Sequence, residues 1–180
     1  MTPTTRRATS RSDRGRTPRR SKEAVPRAGV SLKLETILVP LDGSSLAESA
    51  VWPAADLAKQ VGARLLLLRV AEPSTLPGDL TEKPVRLVGE ATAYLSSIGR
   101  TLFLSGVKGI DTTVRTGRPA ASIAEVARSA AVDLIVMTTH GRSGLGRMLL
   151  GSVAQSVLRG TRTPVLLLRG PGRPDPQARA

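Results

Sequence analysis

Four runs of almost unbroken aliphatic residues constrain this chain more than anything else in it: ETILVPLD (35–42), ARLLLLRV (63–70), VDLIVMTT (132–139) and PVLLLR (164–169). A strand with one wet face alternates apolar and polar residues. These runs do not, so they predict strands buried on both faces, the condition of a parallel sheet covered by helices. A fifth segment, IDTTVRT (110–116), alternates as a strand does. Helical patterns fill the intervals. Ser45-x-x-Glu48 reads as a capping box ahead of an Ala-rich helix that reaches about Val61 and is closed by Gly62. A polar loop (72–79) follows the second strand run. After Pro84, apolar residues recur at Val88, Ala91, Leu95, Ile98, Leu102 and Phe103, and the helix stops near Gly106. Gly117-Arg118-Pro119 opens another helix, with Pro at its favoured first position. A last helix is expected from about Ser152, and the Pro that leads PVLLLR suits a sheet edge.

The order β-α-β-α-β-α-β-α-β calls for an α/β fold: a Rossmann-like, three-layer arrangement of five parallel strands in the order 3-2-1-4-5, with helices on both faces and right-handed crossovers. In such sheets a ligand lies beyond the carboxyl ends of the strands, where the strand order reverses. That point falls between the first and fourth strands, which end at Asp42 and Thr139.

Charge and composition narrow the possible functions. The formal net charge is +13, but residues 1–33 hold ten basic side chains against Asp13 and Glu23, whereas residues 34–169 hold fifteen against eleven acidic ones. The excess therefore belongs mainly to an Arg-, Ser-, Thr- and Pro-rich segment with too little apolar surface to offset the entropy of ordering. The expected organisation is a disordered basic tail at 1–33, a folded domain at 34–169 and a second disordered tail at 170–180. No apolar segment follows Arg6-Arg7, which argues against a secretory or twin-arginine signal. No apolar run is long enough for a membrane helix. The chain has no cysteine, which excludes disulfides and thiol chemistry and fits a cytoplasmic setting. With Trp52, Tyr94 and Phe103 as its only aromatics, it has no base-stacking platform for single-stranded nucleic acid. Contact with nucleic acid is left to the basic tail, as a weak and salt-dependent attraction.

Residues 137–157, MTTHGRSGLGRMLLGSVAQSV, fall at the predicted ligand position. The chain has no Gly-Lys-Ser/Thr triplet, so this is not a Walker A loop. DGSS follows the first strand where a dinucleotide fingerprint would begin, and Gly144-Leu-Gly146-Arg-Met-Leu149 lacks the third glycine. Gly141-Arg-Ser143-Gly144 misses the spacing of a nucleophile elbow, and His140 is the only histidine. Gly141 and Gly151-Ser152 remain, with Ser152-x-x-Gln155 as a capping box for the last helix. A helix N-terminus favours an anion, glycines let phosphates approach the backbone, and Arg142 and Arg147 add charge. The same residues also suit simple turns and an ordinary cap, and Asp42 equally suits a turn before a helix. The residues alone leave both readings open.

Taken together, ILVPLDGS (37–44), ARLLLLRV (63–70), TGRPAASI (116–123), VDLIVMTTHGRSGLGR (132–147), LLGSVAQSVL (149–158) and TPVLLLR (163–169) resemble the universal stress protein family, from about Thr36 to Arg169. The resemblance implies the fold described above, commonly a dimer, and membership of a family divided between ATP binders and non-binders. The ATP-binding branch carries Gly, two residues, Gly, nine residues, then Gly followed by Ser or Thr. Here Gly141, Gly151 and Ser152 match, and Thr138 replaces the first glycine. By resemblance, Pro40, Leu41 and Asp42 would meet the adenosine and Val70 the adenine. Thr138 would lie near the ribose, and Gly141, Arg142, Gly151, Ser152 and Val153 would hold the phosphates.

No efficient active site is legible, so the expectation is a regulatory, non-enzymatic ATP-binding module of the stress response. Any Mg2+ or Mn2+ would be held by the phosphates. The alternative is a member without ATP that acts through protein contacts. The last strand (164–169) is expected to pair across a two-fold axis in a homodimer.

Overall fold

The computed structural model of the chain describes residues 33–72, 83–139 and 151–170. Five strands, β1 (Thr36–Leu41), β2 (Arg64–Ala71), β3 (Ile110–Thr116), β4 (Leu134–Thr138) and β5 (Val165–Leu168), form one sheet in the order β3-β2-β1-β4-β5. All four neighbouring pairs are parallel. The helices are α1 (Ser45–Glu48), α2 (Val51–Val61), α3 (Lys83–Leu104), α4 (Pro119–Ser129) and α5 (Ser152–Gly160). The architecture read from the apolar runs is the one observed. Of the tails expected at 1–33 and 170–180, residues 1–32 and 171–180 lie outside the described residues.

The aliphatic runs are continuous because alternate residues serve two cores. Ile37, Val39, Leu41, Leu65 and Leu67 face one side and pack with Val51, Ala54, Ala55 and Ala58 of α2 and Leu95 and Leu102 of α3. Leu38, Leu66, Leu68, Ile135 and Met137 face the other, against Ile123, Val126 and Ala127 of α4 and Ala154 and Val157 of α5. Each fully buried Val, Leu or Ile contributes ~1.5–3 kcal/mol. One slip of register would therefore exchange the two cores. At the lower end of the sheet Asp133 Oδ2 accepts from the backbone N–H groups of Glu35 (2.8 Å) and Thr36 (2.9 Å), fixing the start of β1 against β4.

Two local expectations shift by a residue. The cap of the first helix is Ser44, whose Oγ accepts from Ala47 N–H (3.1 Å), and not Ser45. That helix ends at Glu48, and the chain restarts as α2 at Val51. Glu48 is engaged by Tyr94, so the reciprocal half of the predicted box does not form. Likewise the N-cap of α5 is Gly151, with Ser152 as the first helical residue. In both cases a neighbouring residue with extended ψ takes the capping position. Gly62, with φ +74°, closes α2 in the left-handed conformation as expected.

Candidate functional site

The ladder between β1 and β2 runs the whole length of β1, from Thr36↔Arg64 to Leu41↔Arg69. The ladder between β1 and β4 pairs only Ile37↔Leu134 and Leu38↔Ile135. Beyond Leu38 the two strands separate, and Pro40, which has no N–H to donate, lies in that unladdered part. α2 and α3 cover one face of the sheet while α4 and α5 cover the other. No crossover therefore bridges β1 to β4 above the split. The result is a cavity of about 870 Å³ at the strand-order reversal.

Of the residues singled out in the sequence, Pro40, Leu41, Asp42, Val70, Thr138, Gly151, Ser152 and Val153 all line this one cavity. Gly141, Arg142 and Arg147 lie outside the described residues. β1 delivers Asp42 to the mouth. Gly43, at φ +78°, turns the chain there, and Asp42 Oδ1 accepts from both the N–H (2.9 Å) and the Oγ (2.5 Å) of Ser44. The carboxylate is exposed, and among the described residues its second oxygen has no recorded partner. Val70 sits one residue before the end of β2, with its side chain packed on the α4 face. Thr138 ends β4 opposite Leu168 and is half-buried at the cavity wall.

The start of α5 forms another part of the wall. Gly151 N–H donates to Thr139 O (2.6 Å), which pins the helix start to the end of β4, and Gly151 O accepts from Gln155 N–H (2.9 Å). The helix itself leaves the N–H groups of Ser152, Val153 and Ala154 without a partner, and all three residues line the cavity. Positive potential from the helix dipole is directed to the same place. This wall can accept an anion, and the Asp42 wall can accept hydrogen bonds from a neutral polar group.

The structure also gathers residues that the sequence did not single out. Glu72, Glu90 and Arg69 line the same cavity, as do Leu87, Ala91 and Tyr94 of α3 and Ile123 of α4. Tyr94 donates from its hydroxyl to Glu48 Oε1 (2.9 Å). Its phenol is pushed up from its ordinary value, first by burial and then by that bond, with Arg69 opposing. The signal available in the sequence was Arg69, a cation interrupting an aliphatic strand near its carboxyl end. Among the described residues no group of three or more His, Cys, Asp or Glu could hold a metal ion. None of the described helices is long and apolar enough to cross a membrane.

A parallel five-stranded sheet in this order, split at its reversal and walled by a helix N-terminus, defines a Rossmann-like three-layer protein with a built ligand crevice. Comparisons with known proteins narrow that class. The model of the universal stress protein family matches residues 33–169. A universal stress protein of Methanocaldococcus jannaschii is 35% identical over 140 residues, covering 75% of this chain and 82% of that protein. The solved structure of hypothetical protein MJ0577 superimposes with a TM-score of 0.69 at 26% identity, covering 78% of this chain and 99% of that one. A universal stress protein crystallised in complex with cAMP superimposes with a TM-score of 0.61 at 26% identity, covering 77% and 99%. The chain belongs to the universal stress protein family.

Proposed function

We propose that this chain is a regulatory nucleotide-binding module of the stress response, with ATP as its ligand and binding, not catalysis, as its task. One observation carries the reading. One cavity is lined both by the exposed Asp42 at the end of β1 and by the N-terminus of α5 beyond β4. A nucleotide has the matching polarity, hydrogen-bond donors on its nucleoside and anionic charge on its phosphates. Pro40, Leu41, Asp42 and Val70 would hold the adenosine, with Thr138 beside the sugar. Gly151, Ser152 and Val153, with Gly141 and Arg142, would hold the phosphates. Any divalent ion would be held by the phosphates. The cAMP complex of a family member superimposing at 26% identity supports a nucleotide in this crevice.

The proposed setting is the cytoplasm, and the proposed assembly is a homodimer through β5. The proposed organisation keeps a folded part at 34–169 between two polar tails. A second reading is favoured by Thr138. Its side chain stands at the cavity wall where the ATP-binding pattern has glycine, which fits a member that works through protein contacts alone. In that reading the basic segment 1–33 would add a salt-dependent contact with nucleic acid.

The deciding experiment is to denature freshly purified protein, identify released nucleotide by mass spectrometry, and titrate the emptied protein with ATP by calorimetry. Stoichiometric adenine nucleotide or saturable ATP binding is expected. Neither a released nucleotide nor binding would overturn the ATP reading and leave the second.

A further inference from the structure

Arg69 interrupts β2 on the same face as Leu65 and Leu67, so its side chain is directed toward the layer of α2 and α3. Nothing in the resemblance or in the sheet requires a cation there, and a leucine would continue the run. Among the described residues Arg69 forms no ion pair that would compensate the cost of partial burial. What surrounds the guanidinium is specific. Nη1 reaches Leu41 O in a long hydrogen bond (3.4 Å). The group lies close to Gly43, where a Cβ would meet Nη1 at 3.3 Å and Nη2 at 3.5 Å. Cζ also stands over the Tyr94 ring, 5.8 Å from its centre.

These contacts close a ring. Arg69 presses on the Leu41–Gly43 turn, and that turn positions Asp42, whose Oδ1 is bonded twice to Ser44. Ser44 caps α1, and Glu48 at the end of α1 accepts from Tyr94. The Tyr94 ring in turn backs Arg69. Arginine is the residue that can stack on an aromatic face and donate to a carbonyl with the same planar group. We infer that Arg69 is a positioning residue of the crevice: close to both Tyr94 and Gly43 and bonded to Leu41 O, its guanidinium holds the Asp42–Ser44 turn so that the Asp42 carboxylate faces the ligand. The ligand half of this statement rests on the nucleotide reading above; the clamp itself does not. Glycine at 43 then has two reasons, its positive φ and the guanidinium close beside it.

The test has two arms. In nucleotide-free protein, hydrogen exchange is followed at the Ser44 and Ala47 amides, which report the turn and its cap. Arg69→Met keeps the aliphatic stem and removes the plane and the charge. Exchange at both amides is expected to rise about tenfold, the equivalent of one such contact, with Leu38 and Leu67 in the core unchanged. Tyr94→Leu, which strips the ring from the clamp, should accelerate the same two amides and serves if Arg69→Met does not fold. In the second arm ATP is titrated into wild type, Arg69→Met, Asp42→Asn and the double variant.

Arg69→Met should weaken ATP about tenfold alone and less than about twofold in the Asp42→Asn background, because its effect passes through that carboxylate. Arg69→Lys should recover part of the loss. Additive losses, or unchanged exchange at Ser44 and Ala47, would overturn the inference. If wild type binds no ATP but the two amides respond, the clamp stands and the nucleotide reading falls. If wild type binds ATP and the amides do not respond, the reverse holds.

Discussion

Replacing Gly151 by valine separates a phosphate site from a simple helix cap. Gly151 has φ −54° and ψ 144°, a conformation open to any L-residue, so the substitution introduces no backbone strain. Its two recorded hydrogen bonds, to Thr139 O and from Gln155 N–H, use only backbone atoms and survive. The cost to folding is then the difference in N-cap preference, at most ~1 kcal/mol. Binding should suffer far more. A branched side chain at the cavity wall would stand between an approaching phosphate and the N–H groups of Ser152 and Val153. Charge-assisted hydrogen bonds contribute ~1.5–3 kcal/mol each, so losing two removes ~3–6 kcal/mol, or about two to four orders of magnitude in affinity.

Calorimetric ATP titration and urea denaturation of the same preparations would read both quantities. Gly151→Ala, with a single methyl, should fall between the two. An affinity for ATP within about threefold of wild type, with the folding midpoint preserved, would refute the assignment of phosphates to this helix start. A parallel fall in stability and affinity would show that the residue serves the fold alone.

Two further outcomes follow from other parts of the molecule. β5 is a sheet edge, and Leu166 on it is 39% exposed, with Val153 and Leu158 of α5 also exposed. A homodimer mass by light scattering is expected for wild type, and Leu166→Lys should give a monomer; a monomeric wild type would refute pairing through this strand. Tyr94 is the chain's only tyrosine, and its raised phenol means the folded state favours the neutral form. The stability it contributes is therefore intact below the ordinary value of 10.0 and lost as pH rises above it toward the folded value. The gap in urea midpoint between wild type and Tyr94→Phe should shrink on crossing that pH, and a constant gap would contradict a stabilising role for the partly buried bond to Glu48.

The sheet was legible because burial on both faces leaves a mark that few other arrangements leave: ARLLLLRV and VDLIVMTT cannot be half-exposed strands. Strand order was expected as the usual one for such a sheet, and the position of the crevice followed from strand order. Caps were legible only to within a residue. Ser44 and Ser45 are chemically identical, as the pair Gly151-Ser152 nearly is for capping, and the choice is made by backbone angles that depend on where the preceding strand delivers the chain. Of the cluster of Arg69, Tyr94 and Glu48 the sequence marked only Arg69, as a cation in an aliphatic run, and gave no sign of its partners. Its members lie on three different elements, 46 residues separating Tyr94 from Glu48. Spacing along the chain cannot show that α3 lays its tyrosine across the end of β2. Nor did the sequence reveal that Glu72 and Glu90 would share the cavity with Asp42.

The split between β1 and β4 explains why so few residues can carry a ligand site in so ordinary a sheet. Below Leu38 and Ile135, the strands are laddered and their side chains belong to the two cores. Above them each strand keeps its outer neighbour but the two no longer pair with each other, so the backbone groups that face the split and those of the adjoining turn and helix start must find other partners. The sheet meets that demand differently on each side. On the β1 side the demand is met internally: Asp42 bonds Ser44, Ser44 caps α1, and Arg69 takes the Leu41 carbonyl. On the β4 side Thr139 N–H donates to Leu168 O and Gly151 N–H to Thr139 O, and among the described residues the next three N–H groups, on residues that line the cavity, find no partner within their helix. One wall is thus set in place before any ligand arrives, and the other is left with donors to give. An anionic group joined to a polar one by a span that fits the crevice satisfies both walls at once, whereas a lone anion satisfies only the second. Inorganic phosphate should accordingly compete with ATP weakly, and adenosine alone weakly too, because neither reaches across the split.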